Sequence, residues 1–98
     1  MTWIFEIRDK SGRKIHLSGE RWKHIANDHP EVADYFEDLK ETLKNPVKIT
    51  TYSFDKDVRY YYNYFKSRKS SAKYLLLIAK YLNDHGFVIT AYFVRSIK

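Results

Sequence analysis

Ninety-eight residues, 44% hydrophobic and 31% charged, describe one globular domain over 1–98 rather than two cores or a disordered chain. The absence of cysteine excludes a disulfide framework, a thiol nucleophile and any cysteine-ligated zinc or iron–sulfur site. The formal net charge of +6 is unevenly spread: residues 1–57 hold ten Lys/Arg against eleven Asp/Glu, and 58–98 hold eight against Asp84 alone.

In chain order, Thr2–Arg8 alternates, with Trp3, Phe5 and Ile7 on one face and Ile4 and Glu6 on the other. The turn cluster Asp9-Lys10-Ser11-Gly12 and a second alternating run, Lys14–Leu17, complete an N-terminal β-hairpin. Ser18 is then a candidate N-cap, with Glu20 in the first turn of a helix. Trp22, Ile25, Ala26 and His29 follow at the spacing of one helix face, which predicts that His29 points into the core. Pro30 stops that helix and opens the next, whose apolar stripe is Val32, Tyr35, Phe36, Leu39 and Leu43 and which ends near Asn45-Pro46. The acidic residues Asp34, Glu37, Asp38 and Glu41 fall off this stripe and read as a solvated face.

After Pro46 the period changes from helical to alternating. Strands are predicted at Val47–Ser53, Val58–Phe65, Lys73–Tyr81 and Phe87–Arg95. They are separated by the turn Phe54–Asp57, the basic loop Lys66–Ser71 and the turn Asn83–Gly86. Short connections favour an antiparallel meander. The fold class is therefore α+β: an N-terminal β-hairpin, two α-helices, then a four-stranded antiparallel meander with the helices packed on one face.

Three stretches carry chemistry-bearing residues. On the first helix His24 lies nearly opposite the apolar stripe, near Arg21 and Asp28, so His24 is exposed where His29 is not. Either imidazole has the pKa range of a proton shuttle. Five residues apart, the two cannot clasp one ion from a helix, and with His16 on the hairpin and His85 in a turn no metal site is expected. In the second stretch Arg59, Tyr61 and Asn63 share one strand face, and Tyr60, Tyr62 and Tyr64 the other. Arg59 offers a planar donor fork for a phosphate, and tyrosines offer rings for stacking on bases. Aromatic residues are also simply good strand formers. In the last strand Phe87, Ile89, Ala91 and Phe93 form the expected core row, which leaves the Thr90 and Tyr92 hydroxyls on the other side, with Lys80 near.

The order hairpin, two helices, meander resembles the barnase/EndoU/colicin/RelE-like superfamily of small ribonucleases, and within it the phage-associated nuclease branch. The resemblance spans nearly the whole chain. It rests on Arg21-Trp22-Lys23-His24-Ile25 with His29-Pro30-Glu31, on the Asn45-Pro46 helix end, on Arg59-Tyr60-Tyr61-Tyr62 and on Thr90-Ala91-Tyr92. It implies cleavage of RNA by attack of the substrate's own 2′-hydroxyl, with no metal or other cofactor. His24 or His29 would then transfer a proton, Arg59 would stabilise the phosphorane, and Thr90 and Tyr92 would orient the phosphate or donate a proton. Arg21, Tyr61, Asn63 and Lys80 complete the set as substrate-binding candidates. One departure stands out: no glutamate occurs in the later strands to serve as the base of barnase-like members.

The leading expectation is a metal-independent RNA endonuclease of toxin or phage-nuclease type. The alternatives are a non-catalytic nucleic-acid-binding or regulatory module on the same scaffold, or a protein-interaction domain with a tyrosine-rich face. A toxin would call for an acidic antitoxin or immunity protein as partner. The first residues lack a signal-peptide pattern and the apolar runs are too short for membrane helices, so a soluble cytoplasmic domain with no membrane partner is expected.

Overall fold

The computed structural model describes residues 3–98. Six strands and two α-helices follow one another as β1 (Trp3–Arg8), β2 (Lys14–Ser18), α1 (Gly19–Asp28), α2 (Phe36–Lys44), β3 (Lys48–Tyr52), β4 (Asp55–Tyr64), β5 (Tyr74–Tyr81) and β6 (His85–Val94). A 3₁₀ segment, Pro30–Tyr35, joins the helices with Pro30 in its first turn. Thus the predicted second helix starts as a 3₁₀ turn and becomes α-helical only at Phe36.

The sheet is six-stranded and mixed, in the order β1-β2-β6-β5-β4-β3. Strands β3 to β6 pair antiparallel in succession. The hairpin is not a separate unit, however: β2 runs parallel to β6, with Lys14 to His16 opposite His85 to Phe87. The expected hairpin and four-stranded meander are therefore one continuous sheet. Gly86 permits the join, because a Cβ there would lie 2.8 Å from both the Ile15 side chain and the Lys80 carbonyl oxygen. Beyond Phe87, α1 and the 3₁₀ segment lie against β6 in place of a strand.

Both helices cover one face. Their Ile25, Leu39 and Leu43 meet Phe5, Ile15, Leu17, Leu75, Leu77 and Phe93 in a single core. Trp22 packs edge-on to Phe36, ring centroids 5.1 Å apart. Burying these side chains from water is the main source of stability.

Two irregularities change which residues share a face. A register shift between Trp3 and Phe5 separates them, so Phe5 enters the core while Trp3 stacks on His16, on the opposite face. In β6 the pairing steps from Ile78↔Thr90 to Ala79↔Val88, leaving Ile89 as the extra residue of a bulge. The core row is consequently Val88, Ala91 and Phe93 rather than the predicted Phe87, Ile89, Ala91 and Phe93. Phe87 crosses to the side of Thr90 and Tyr92. Strand β4 also begins at Asp55, so the predicted Phe54–Asp57 turn shrinks to Ser53-Phe54, and His85-Gly86 already belong to β6.

The β1–β2 connection is anchored by Asp9, which is 6% exposed. Its Oδ1 accepts from the Ser11 hydroxyl at 2.6 Å and from the backbone N–H groups of Ser11 and Arg13. Its Oδ2 accepts from the hydroxyls of Tyr61, at 3.0 Å, and Tyr81. The Arg13 guanidinium lies over the Tyr81 ring, 3.7 Å from its centroid. Gly12, with φ +89°, supplies the left-handed residue of the turn. Three strands of the sheet are thus tied to one carboxylate.

Candidate active site

A groove of about 420 Å³ opens where β2 gives way to α1 beside β6. Ser18 caps α1 by accepting the Arg21 backbone N–H at 3.1 Å. This fixes the first turn and sets Glu20, Arg21, His24 and Asp28 along one wall of the groove. Trp3, His16 and Phe87 form the facing wall. His24 is exposed, as its position opposite the apolar stripe predicts.

His16 was not among the sequence candidates. Strand alternation signals its placement, since Ile15 and Leu17 on either side are core residues and His16 must face away from them. Its ring stacks on Trp3 with centroids 3.7 Å apart and lies 5.7 Å from His85 and 6.1 Å from Phe87. Burial, and then the nearby His85, lower its pKa below the ordinary histidine value, with Glu6 acting in the opposite sense. The shift favours the neutral form of the imidazole.

His29 departs from its predicted position. It is the C-cap of α1, with φ −134° and ψ 75°, and only its backbone N–H completes the helix, by donating to Ile25 O at 2.8 Å. A residue before proline is disfavoured in the α conformation, so the helical phase that would aim His29 inward ends one residue early. Its ring instead stacks on Tyr92, centroids 4.9 Å apart, with the side chain 33% exposed and Nδ1 4.0 Å from Glu31.

Tyr92 belongs to the helix-free face. Register places Thr50, Tyr60, Ile78 and Thr90 in one row across this face and Lys48, Tyr62, Leu76 and Tyr92 in the next. A further row runs through Val58, Lys80, Phe87, His16 and Glu6. Lys80 thus faces the same side as the groove, but its Nζ is paired with Asp55 at 3.0 Å. The backbone N–H of Asp57 and then the Lys80 ammonium, by hydrogen bonding to the Asp55 carboxylate, lower its pKa.

Arg59, Tyr61 and Asn63 lie on the other face, opposite Ala79, Leu77 and Leu75. The Arg59 guanidinium turns back to the carbonyl oxygens of Lys56 and Val58. Tyr61 is 1% exposed, and burial pushes its hydroxyl up to about 12. The structure therefore brings together His24 and Arg21, with Thr90 and Tyr92 further along β6 and His29, at the end of α1, stacked on Tyr92. It separates them from Arg59, Tyr61 and Asn63 by the thickness of the sheet.

Among the described residues, no three His, Cys, Asp or Glu side chains gather as a metal-ligand set. No helix among them is long and apolar enough to cross a membrane.

A mixed sheet shielded by helices on one side, with two imidazoles, a guanidinium and two carboxylates around a groove at the helix–sheet junction, defines a small α+β domain with ionisable groups gathered at one open site. The family model for phage-Barnase-EndoU-ColicinE5/D-RelE like nuclease 2 matches residues 5–97, and the chain belongs to that nuclease family. Neither the curated proteins nor the solved structures include a significant match to it.

Proposed function

We propose that the protein is an RNA endonuclease that cleaves by intramolecular attack of the 2′-hydroxyl on the adjacent phosphorus. The observation that carries this reading is the meeting of His16, His24 and Arg21 in one open groove. The reaction needs a base for the 2′-hydroxyl proton, an acid for the 5′-oxygen leaving group and positive charge for the phosphorane. His16, whose lowered pKa favours the neutral form, takes the proton as the O2′–P bond forms. His24, in its protonated form, gives a proton to O5′ as the P–O5′ bond breaks, and Arg21 balances the charge between them. The nucleophile is the substrate's own, so the chemistry requires no metal. His29 on Tyr92, with Thr90 beside it, would orient the neighbouring nucleotide.

The test is incubation of RNA with the protein in excess EDTA. Products ending in 2′,3′-cyclic phosphate are expected, and intact RNA across several RNA classes at high protein concentration overturns the reading. The groups set around His16 are Glu6, His85 and, from the groove wall, Glu20, Arg21, His24 and Asp28. An acid limb of the rate profile placed below the ordinary histidine range is the pH signature of His16 as base.

His29→Ala is expected to lower cleavage by about tenfold or more while costing only about 1 kcal/mol, the worth of one ring stack. Thermal melts check the second part. A loss as large as a core deletion would return His29 to the interior.

An acidic inhibitor laid over the basic surface is the partner this reading expects. Binding that weakens steeply with added salt would mark such a contact, as it would mark RNA.

A further inference from the structure

The face away from the helices carries more aromatic surface than the groove uses. Tyr52 stacks on Tyr60, ring centroids 6.0 Å apart and planes 13° from parallel, and packs edge-on to Phe54 at 5.5 Å. Phe54 is 86% exposed and Tyr52 41%. Phe54 sits in a two-residue turn where a polar residue or glycine is the ordinary choice. Leaving a phenyl ring in water there forfeits the gain that its burial would bring. Tyr60 is hemmed by other phenols: burial, and then the proximity of Tyr52, Tyr92 and Tyr62, raise its pKa. The rings thus run from His29, at the end of α1, and Tyr92 on β6, through Tyr60 on β4, to Tyr52 on β3 and Phe54 in the turn that follows it. Three inter-strand spacings separate β6 from β3, about 14 Å in all.

Lysines flank this run, with Asp55 paired to Lys80 and Asp57 exposed next to Lys56. Lys48 faces the same side opposite Tyr62, and Lys56 is exposed beside Phe54. Stackable rings flanked by lysines suit a strand whose bases are free and whose phosphates face cations. A base-paired duplex hides its base faces and could use only the lysines.

We infer that Tyr60, Tyr52 and Phe54 form a stacking track, separate from the groove, that receives unpaired nucleotides of the RNA strand and leads them toward it. The inference rests on the RNA-cleavage reading but concerns a surface that reading does not require. The alternative occupant of an edge of this kind is a second copy of the chain, joined along β3.

The experiment uses a fluorescently labelled 2′-O-methyl oligonucleotide of about ten nucleotides, within the usual span of a single-strand site. Because it cannot be cleaved, it reads the track whether or not the protein cuts RNA, and the EDTA assay separately reads the cleavage proposal. The Tyr52→Ala/Phe54→Ala double variant removes exposed rings and is checked for an unchanged melt. It is expected to bind the unpaired oligonucleotide at least about tenfold more weakly than wild type. Phe54→Tyr, which keeps the ring, retains affinity. Wild type is expected to bind the same sequence closed into a hairpin stem no better than the double variant binds the unpaired strand. Equal affinity of wild type and double variant for the unpaired strand overturns the track, as does equal affinity of wild type for stem and strand. A concentration-dependent wild-type dimer that the double variant abolishes overturns it in favour of a second copy.

Discussion

His24→Ala is expected to slow RNA cleavage by about 100-fold or more, the usual contribution of a general acid or base, and to leave the melting temperature unmoved. The imidazole is exposed on the groove wall and supports no core contact. Arg59→Ala is the matched control. Its guanidinium is on the helix-covered face, bonded to carbonyl oxygens at the start of its own strand. Its loss should change the rate by no more than about threefold, the scale of a surface change away from the reacting atoms. Single-turnover cleavage in EDTA measures both. Full activity in the His24 variant, or a large loss in the Arg59 variant, would move the reaction out of the groove.

Asp9→Ala is expected to give the largest stability loss of any single change considered. The buried carboxylate accepts from Tyr61, Tyr81, Ser11 and two backbone N–H groups. Removing it leaves two buried phenol hydroxyls to satisfy each other, at a cost of about 3 kcal/mol or more. For a domain of this size that lowers Tm by roughly 12 °C or more. The pH dependence has a definite sign. Burial raises the Asp9 pKa, but the hydrogen bonds from Ser11, Tyr81, Tyr61 and the Arg13 backbone outweigh it and leave the folded value below the usual one. The stabilisation is therefore complete above the unfolded-state pKa of about 3.9 and disappears as the pH falls through the folded value. Melts of wild type and Asp9→Ala should differ most near neutrality and converge in acid. An equal gap at about pH 7 and about pH 3 would show that charge on Asp9 contributes nothing.

Local pattern is enough to read much of this protein. The existence of the six strands, the stripes of Ile25 and of Leu39 and Leu43, the Ser18 cap and the break at Pro30 all express short-range rules, and each reappears in the structure. The resemblance read from Arg21–Glu31 together with the later motifs agrees with the family match over residues 5–97, and helical phase puts His24 on an accessible surface. Face assignment follows alternation only while the count is unbroken. One extra residue in β6 moves Phe87 to the helix-free face, and the shift at the start of β1 does the same for Trp3. His29 fails the helical wheel because the proline after it takes it out of the helix.

What the sequence determined unaided is the set of elements, their periods, the family and the chemical types available, because these depend on neighbours a few residues away. Only the tertiary structure decided which of those groups meet. The parallel pairing of β2 with β6 joins segments some seventy residues apart and sets Phe87 beside His16, closing the groove whose other wall carries His24, while the sheet holds Arg59 on its far side. Nothing in either segment's own pattern encodes that pairing. It is settled by the arrangement that buries both helix stripes against the strand side chains and leaves room, at Gly86, for the Ile15 side chain of β2.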